Sequence, residues 1–127
     1  MNFGKVGPGA KVTGQIYVCN IGDPWSYLEW YIDIANVPAW GNWTFSSSAG
    51  NDVKKDDCVI VNVTCILKNL TGSYNGTIVV YNADDSTDFC EIDTSVEISR
   101  VRSQNNLIWN LFKQFPFFDR IIYYLKQ

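Results

Sequence analysis

Cysteine is the residue type here most able to do covalent chemistry. Cys19, Cys58, Cys65 and Cys90 lie 39, 7 and 25 positions apart, with no Cys-x-x-Cys pair, and the chain has no His. Such a set cannot complete a zinc site of the usual Cys/His kind. The commonest general base is missing with it. An even number of cysteines spread over separate strands predicts two disulfides and an oxidising compartment. Four buried thiols are the alternative.

Other residues offer binding or modification chemistry. The triplets Asn42-Trp43-Thr44, Asn62-Val63-Thr64, Asn69-Leu70-Thr71 and Asn75-Gly76-Thr77 each place a hydroxyl two residues after an Asn amide, the pattern of N-glycosylation on a secreted chain. A polar strand face rich in Asn and Thr reads the same way. Asp84, Asp85 and Asp88, with Asp23 and Asp57, could approach a cation. Their spacing is irregular, however, and a solvated acidic turn accounts for them better than a calcium site. Trp25, Tyr27, Trp30, Tyr31, Trp40 and Trp43 gather in one stretch that could stack on sugar rings. Strand alternation sends about half of them into the core instead. No carboxylate pair, nucleophile–base pair or metal set can be assembled, so neither enzyme activity nor a cofactor is expected. The net charge of −3 and the scattered Lys and Arg also argue against nucleic acid.

The elements that position these residues are mostly strands. The 127 residues are 46% hydrophobic and 15% aromatic, with Val, Ile and Thr recurring throughout. In 11–20, Val12, Ile16 and Val18 alternate with Thr13, Gln15 and Tyr17. In 57–67, Val59, Val61, Val63, Cys65 and Leu67 share one face, with Asn62 and Thr64 on the other. Further strands are expected at 2–6, 27–34, 40–45, 74–82 and 89–98, with a loop at 46–51 and an acidic turn at 83–88. Seven strands with closely spaced turns predict a mainly β, immunoglobulin-like sandwich over residues 1–100. If 11–20 runs antiparallel to 57–67, Cys19 and Cys58 meet at one end on the outward face. Cys65 and Cys90 both point inward, one in each sheet, so the preferred pairing is Cys19–Cys58 with Cys65–Cys90.

The opening Phe3-Gly4-Lys5-Val6 and the strand ending Val18-Cys19-Asn20-Ile21-Gly22 resemble immunoglobulin-like domains of the ASH/Hydin and choice-of-anchor type. Trp43-Thr44-Phe45-Ser46 and Gly76-Thr77-Ile78-Val79-Val80 add to the likeness, which covers roughly residues 2–98. It is nearest to modules of archaeal and bacterial cell-surface proteins. It implies roles in adhesion, spacing or assembly, with no catalytic residues to carry over. The cysteines and the C-terminal tail depart from that pattern.

Residues 101–127 form a separate tail. Leu107, Ile108, Leu111, Phe112, Phe115, Phe118, Ile121, Ile122 and Leu125 recur at helical spacing, and Pro116 divides the stretch into two short helices or one kinked helix. Such an apolar stripe packs on its own domain, lies on a membrane surface or joins other copies. Lys113, Asp119, Arg120 and Lys126 speak against spanning a bilayer. Self-association, or docking into a neighbouring surface-protein subunit, is the expected role of these residues. The chain opens directly on a strand-like segment, as a mature product or excised piece would. The function expected is therefore an extracellular structural module, disulfide-bonded and glycosylated, that assembles through its tail. A glycan-binding or adhesion module using the Trp25–Trp43 region is the alternative.

Overall fold

A computed structural model describes residues 1–100 and the backbone of 120–125. Alternation decides the strands. In β2 (Lys11–Asn20), Val12, Ile16 and Val18 are buried while Lys11 and Thr13 are exposed. In β6 (Cys58–Leu67), Val61, Val63, Cys65 and Leu67 point inward, with Ile60, Asn62 and Ile66 on the solvent side. The pleat places successive side chains on opposite faces, so each strand turns one apolar row toward a shared core.

The remaining strands are β1 (Asn2–Val6), β3 (Tyr27–Ile32), β4 (Gly41–Phe45), β5 (Ala49–Lys54), β7 (Gly72–Asn82), β8 (Asp85–Ile98) and β9 (Arg120–Leu125). They form a five-stranded sheet of order β1-β8-β7-β3-β5 and a four-stranded sheet of order β4-β6-β2-β9. Between the sheets, one cluster gathers Ile16, Val18, Leu28, Trp30, Val61, Ile78 and Ile92. A second cluster gathers Val6, Val12, Trp40, Cys65, Leu67, Val96 and Ile98. The sandwich expected from the sequence is therefore present, with nine strands among the described residues rather than seven.

Three expectations are corrected. Residues 49–54 form a strand that overlaps the loop expected at 46–51, because this short segment pairs with β3 through Trp30↔Gly50 and Leu28↔Val53 and buries Val53. Gly50 is required there, since a Cβ would lie 2.7 Å from Trp30 Nε1. The helix expected in the tail is not found at 120–125, which lie parallel to β2 from Gln15↔Arg120 to Asn20↔Leu125. Ile-Ile-Tyr-Tyr-Leu is β-branched and aromatic, and a short apolar run cannot be assigned by periodicity alone. The helices expected over 104–119, with Leu107, Ile108, Leu111, Phe112, Phe115 and Phe118, lie outside the described residues.

The third correction concerns the cysteines. Cys19 and Cys58 face each other across β2 and β6 and form a disulfide, with Cα atoms 4.0 Å apart. Cys65 and Cys90 are not bridged to each other. Both point inward as expected, but Cys65 sits in the second core cluster while Cys90, opposite Val80, packs against the first. They are separated along the sandwich, and parity alone does not report position along a strand.

Candidate functional site

The disulfide sits at the base of the loop that joins β2 to β3. Next to it, Asn20 is fully buried, and its Nδ2 donates to Val53 O at 2.9 Å and Ser26 O at 3.2 Å. Its Oδ1 accepts from Gly22 N at 2.9 Å. Lys55 Nζ adds a hydrogen bond to Gly22 O at 2.7 Å. Buried amides are held this way because an unmet donor or acceptor costs about 1–3 kcal/mol. The loop so clamped carries Trp25 at its tip, 94% exposed and in the left-handed region with φ of 69°. A non-glycine residue there stores strain, which the surrounding hydrogen bonds must maintain.

The aromatic stretch does not act as one platform. Trp30 and Trp40 are core residues, and half-buried Trp43 donates its indole N–H to Pro38 O at 2.9 Å. Phe3, Trp40 and Trp43 pack together, with ring centroids 5.1 to 6.4 Å apart. Of the set, Trp25, Tyr27 and Tyr31 reach solvent. Tyr31 belongs to a cross-strand row that sequence reading missed. Tyr31 stacks on Tyr81 at 5.3 Å, and Tyr81 meets Phe89 at 5.8 Å, following the register Tyr31↔Tyr81↔Phe89 on the outer face of the five-stranded sheet. Tyr31 lies far in sequence from Tyr81 and Phe89, so only strand register reveals the row. Stacked Tyr31 and Tyr81 hide ring faces against each other and present edges to solvent, which suits sheet stabilisation better than sugar stacking.

All four sequon asparagines, Asn42, Asn62, Asn69 and Asn75, are exposed. Asn62 Oδ1 accepts from Gln15 Nε2 at 3.0 Å across β2 and β6. The acidic turn is satisfied from within. Asp85 Oδ1 accepts from the Thr87 hydroxyl and amide, which lowers its carboxyl below the ordinary Asp value, and Asp84 N donates to Asn82 Oδ1. Among the described residues no three His, Cys, Asp or Glu side chains come together to hold a metal. The Cys65 thiol is pushed up to about 11 by burial and stays protonated at neutral pH.

No protein-family model matches the chain, and no curated protein matches it either. Among solved structures it is similar to the ASH/PapD-like domain of human CEP192 (PapD-like domain 7), with a TM-score of 0.62 and 13% identity over 80% of this chain and 82% of that one. The fold is immunoglobulin-like, as in that domain. Two glycoside hydrolases also align. A Bacteroides ovatus GH5 xyloglucanase does so with a TM-score of 0.46 and 19% identity over 80% of this chain and 18% of its own. A family 123 glycoside hydrolase from Clostridium perfringens gives 0.47 and 11%, over 79% and 23%.

An immunoglobulin-like sandwich of this kind offers three types of surface: sheet faces, sheet edges and the loops at either end. Here the outer faces carry Asn42, Asn62, Asn75 and the aromatic row, Asn69 lies in the connection between β6 and β7, and one end carries the clamped Trp25 loop. A concavity of about 490 Å³ beside β7 and β8 is lined by Asn75, Thr77, Asp93 and Ser95, a set holding one carboxylate. Among the described residues no helix is long and apolar enough to cross a membrane.

Proposed function

We propose that this chain is a non-catalytic, extracellular assembly module, an immunoglobulin-like sandwich whose apolar C-terminal segment mediates self-association into a filament, array or surface complex. Residues 120–125 pair along β2 of their own chain, and the supporting observation is the apolar sequence beyond that strand. Thirteen of the nineteen residues from Leu107 to Leu125 are apolar or aromatic, more than one short edge strand needs. The Cys19–Cys58 bridge and the four exposed sequons support an oxidising, glycosylating compartment. The partner is then another copy or a neighbouring surface subunit.

Light scattering over a concentration series tests the reading on the full chain and on a Leu111→Lys, Phe115→Lys variant. Concentration-dependent growth of the wild type, lost in the variant, is the expected result. A wild-type chain that stays monomeric at the highest concentration refutes it. Glycosylation is checked by the mass shift on deglycosylation of protein from a glycosylating host.

A second reading, glycan binding or adhesion, is favoured by one observation: Trp25 stands 94% exposed on a clamped loop. A glycan array probed with the wild type and Trp25→Ala decides it. Binding lost in the variant supports the reading and a flat array removes it. Trp43→Ala is uninformative here, because its indole packs against the core.

A further inference from the structure

Among the described residues, the five-stranded sheet has an edge that is only partly closed. β1 runs beside β8 from Asn2↔Ser95 to Val6↔Ile98, and the Met1 backbone extends the contact, taking the Ser95 amide on its carbonyl and donating to Asp93 O. Nearer the turn, among the described residues, no strand pairs with that side of β8. Strand geometry assigns the exposed groups. The main-chain groups of Asp93 and Ser95 face β1, so those of Glu91 and Phe89, two and four residues before Asp93, face the same way. The register with β7 agrees, since Tyr81↔Phe89 and Val79↔Glu91 are in phase with Thr77↔Asp93 and Asn75↔Ser95. A row of outward N–H and C=O groups is a template for another strand.

The side chains beside this row select what can pair there. β8 carries Asp85, Asp88, Glu91, Asp93 and Glu97 and no Lys or Arg. On the same face, β7 supplies Tyr81, Val79 and Thr77, which bring no positive charge. A second copy of β8 would set carboxylates against carboxylates, so these charges guard the edge against self-pairing. Phe89, 46% exposed, meets Tyr81 on its β7 side, and its other side faces the open edge. An aromatic ring flanked by carboxylates suits a guanidinium or ammonium group.

We propose that the β8 edge at Phe89 and Glu91 binds an extended cationic polypeptide segment by strand addition, with Lys or Arg at alternate positions beside the side chains of Glu91 and Asp93. The backbone row supplies the site and the carboxylates supply its selectivity.

The test uses the full chain, isotope-labelled, with the capped peptide Thr-Lys-Val-Lys-Val-Lys-Thr as probe and its Glu-for-Lys counterpart as control. Saturable binding of the Lys peptide is expected, with slowed hydrogen exchange at the Phe89 and Glu91 amides and no response to the Glu peptide. Glu91→Lys with Asp93→Lys is expected to weaken binding about tenfold or more. Glu91→Pro removes an outward N–H without breaking the β7 ladder, so it should abolish binding at unchanged thermal stability. If that variant unfolds, the edge assignment is wrong. Absence of saturable binding overturns the proposal. So does binding weakened equally by Asp84→Lys with Asp85→Lys, which would mark general charge attraction. A peptide-free dimer lost in Glu91→Pro overturns it in favour of self-pairing.

Discussion

Removing the Cys19–Cys58 bridge should cost this domain a large share of its stability. The bridge closes a loop with a sequence separation of 39. In the chain-entropy account, a loop of that length contributes about 4 kcal/mol at 25 °C, against the roughly 5–15 kcal/mol by which domains of this size are stable. Two features modify the figure. Cys19 is 1% exposed, so its replacement by Ala also loses a little buried contact, whereas Cys58 is on the surface. In the other direction, β2 and β6 are held by register pairs from Lys11↔Ile66 to Cys19↔Cys58. Any of that pairing surviving in the denatured chain reduces the entropic gain. Urea unfolding of Cys19→Ala/Cys58→Ala should show a loss of about 3–4 kcal/mol and a steeper m-value, because the unlinked chain exposes more surface. The melting temperature should fall by about 15 °C. Wild type under reducing conditions should behave as the double variant does, while Cys90→Ala should show neither the loss nor the change in slope. A loss below about 1 kcal/mol, with an unchanged m-value, would refute the entropic argument.

Three further predictions follow from buried groups. Burial raises the Cys65 thiol from 9.0 to about 11, so its folded state favours the protonated form. The stability it contributes is complete below pH 9 and is lost as pH rises through about 11. The loss is on the order of 2 kcal/mol; a pH series of denaturation midpoints should show it in the wild type but not in Cys65→Ala. Gly41→Ala should destabilise by about 1–3 kcal/mol, because its Cβ would lie 2.2 Å from Cys65 Sγ and 3.3 Å from Ile66 O. In the Cys65→Ala background the penalty should shrink, and an additive double-mutant cycle would refute the contact. Asn20→Ala should cost about 2 kcal/mol or more and release the Trp25 loop, read as faster indole depolarisation.

Alternation carried much of the fold in the sequence. The rows Val12/Ile16/Val18 and Val59/Val61/Val63/Cys65/Leu67 identify β2 and β6 and their inward faces without any long-range information. The Cys19–Cys58 bridge was legible for the same reason, since both residues fall at the end of their strand on the outward side. Cys65 and Cys90 passed the same parity test and are not bridged. Their positions along the sandwich depend on register, which a period of two does not encode. Residues 49–54 were obscured because Ala-Gly-Asn-Asp has turn-like composition, and pairing with β3 overrides local preference. At 120–125 the helical stripe and the strand-forming residues coincide, and the neighbouring β2 edge decides between them. The Tyr31–Tyr81–Phe89 row and the open stretch of β8 are properties of strand order, so no single segment announces them.

The two sheets finish their edges differently, and that difference bears on function. β9 lies along β2 from Gln15 to Asn20, beside the disulfide and the buried Asn20. β1, by contrast, covers β8 only toward its C-terminal end. An uncovered edge without charges would be an aggregation hazard, and the carboxylates of β8 remove that hazard for like copies while leaving the backbone available. Self-association through the C-terminal segment and strand addition at β8 have opposite chemistry, one apolar and one electrostatic. Salt distinguishes them. Raising ionic strength should weaken the cationic contact at β8, while association through an apolar segment should persist or strengthen. A chain whose every association vanished in high salt would place assembly, too, on the charged edge and leave the apolar tail without the role argued for it.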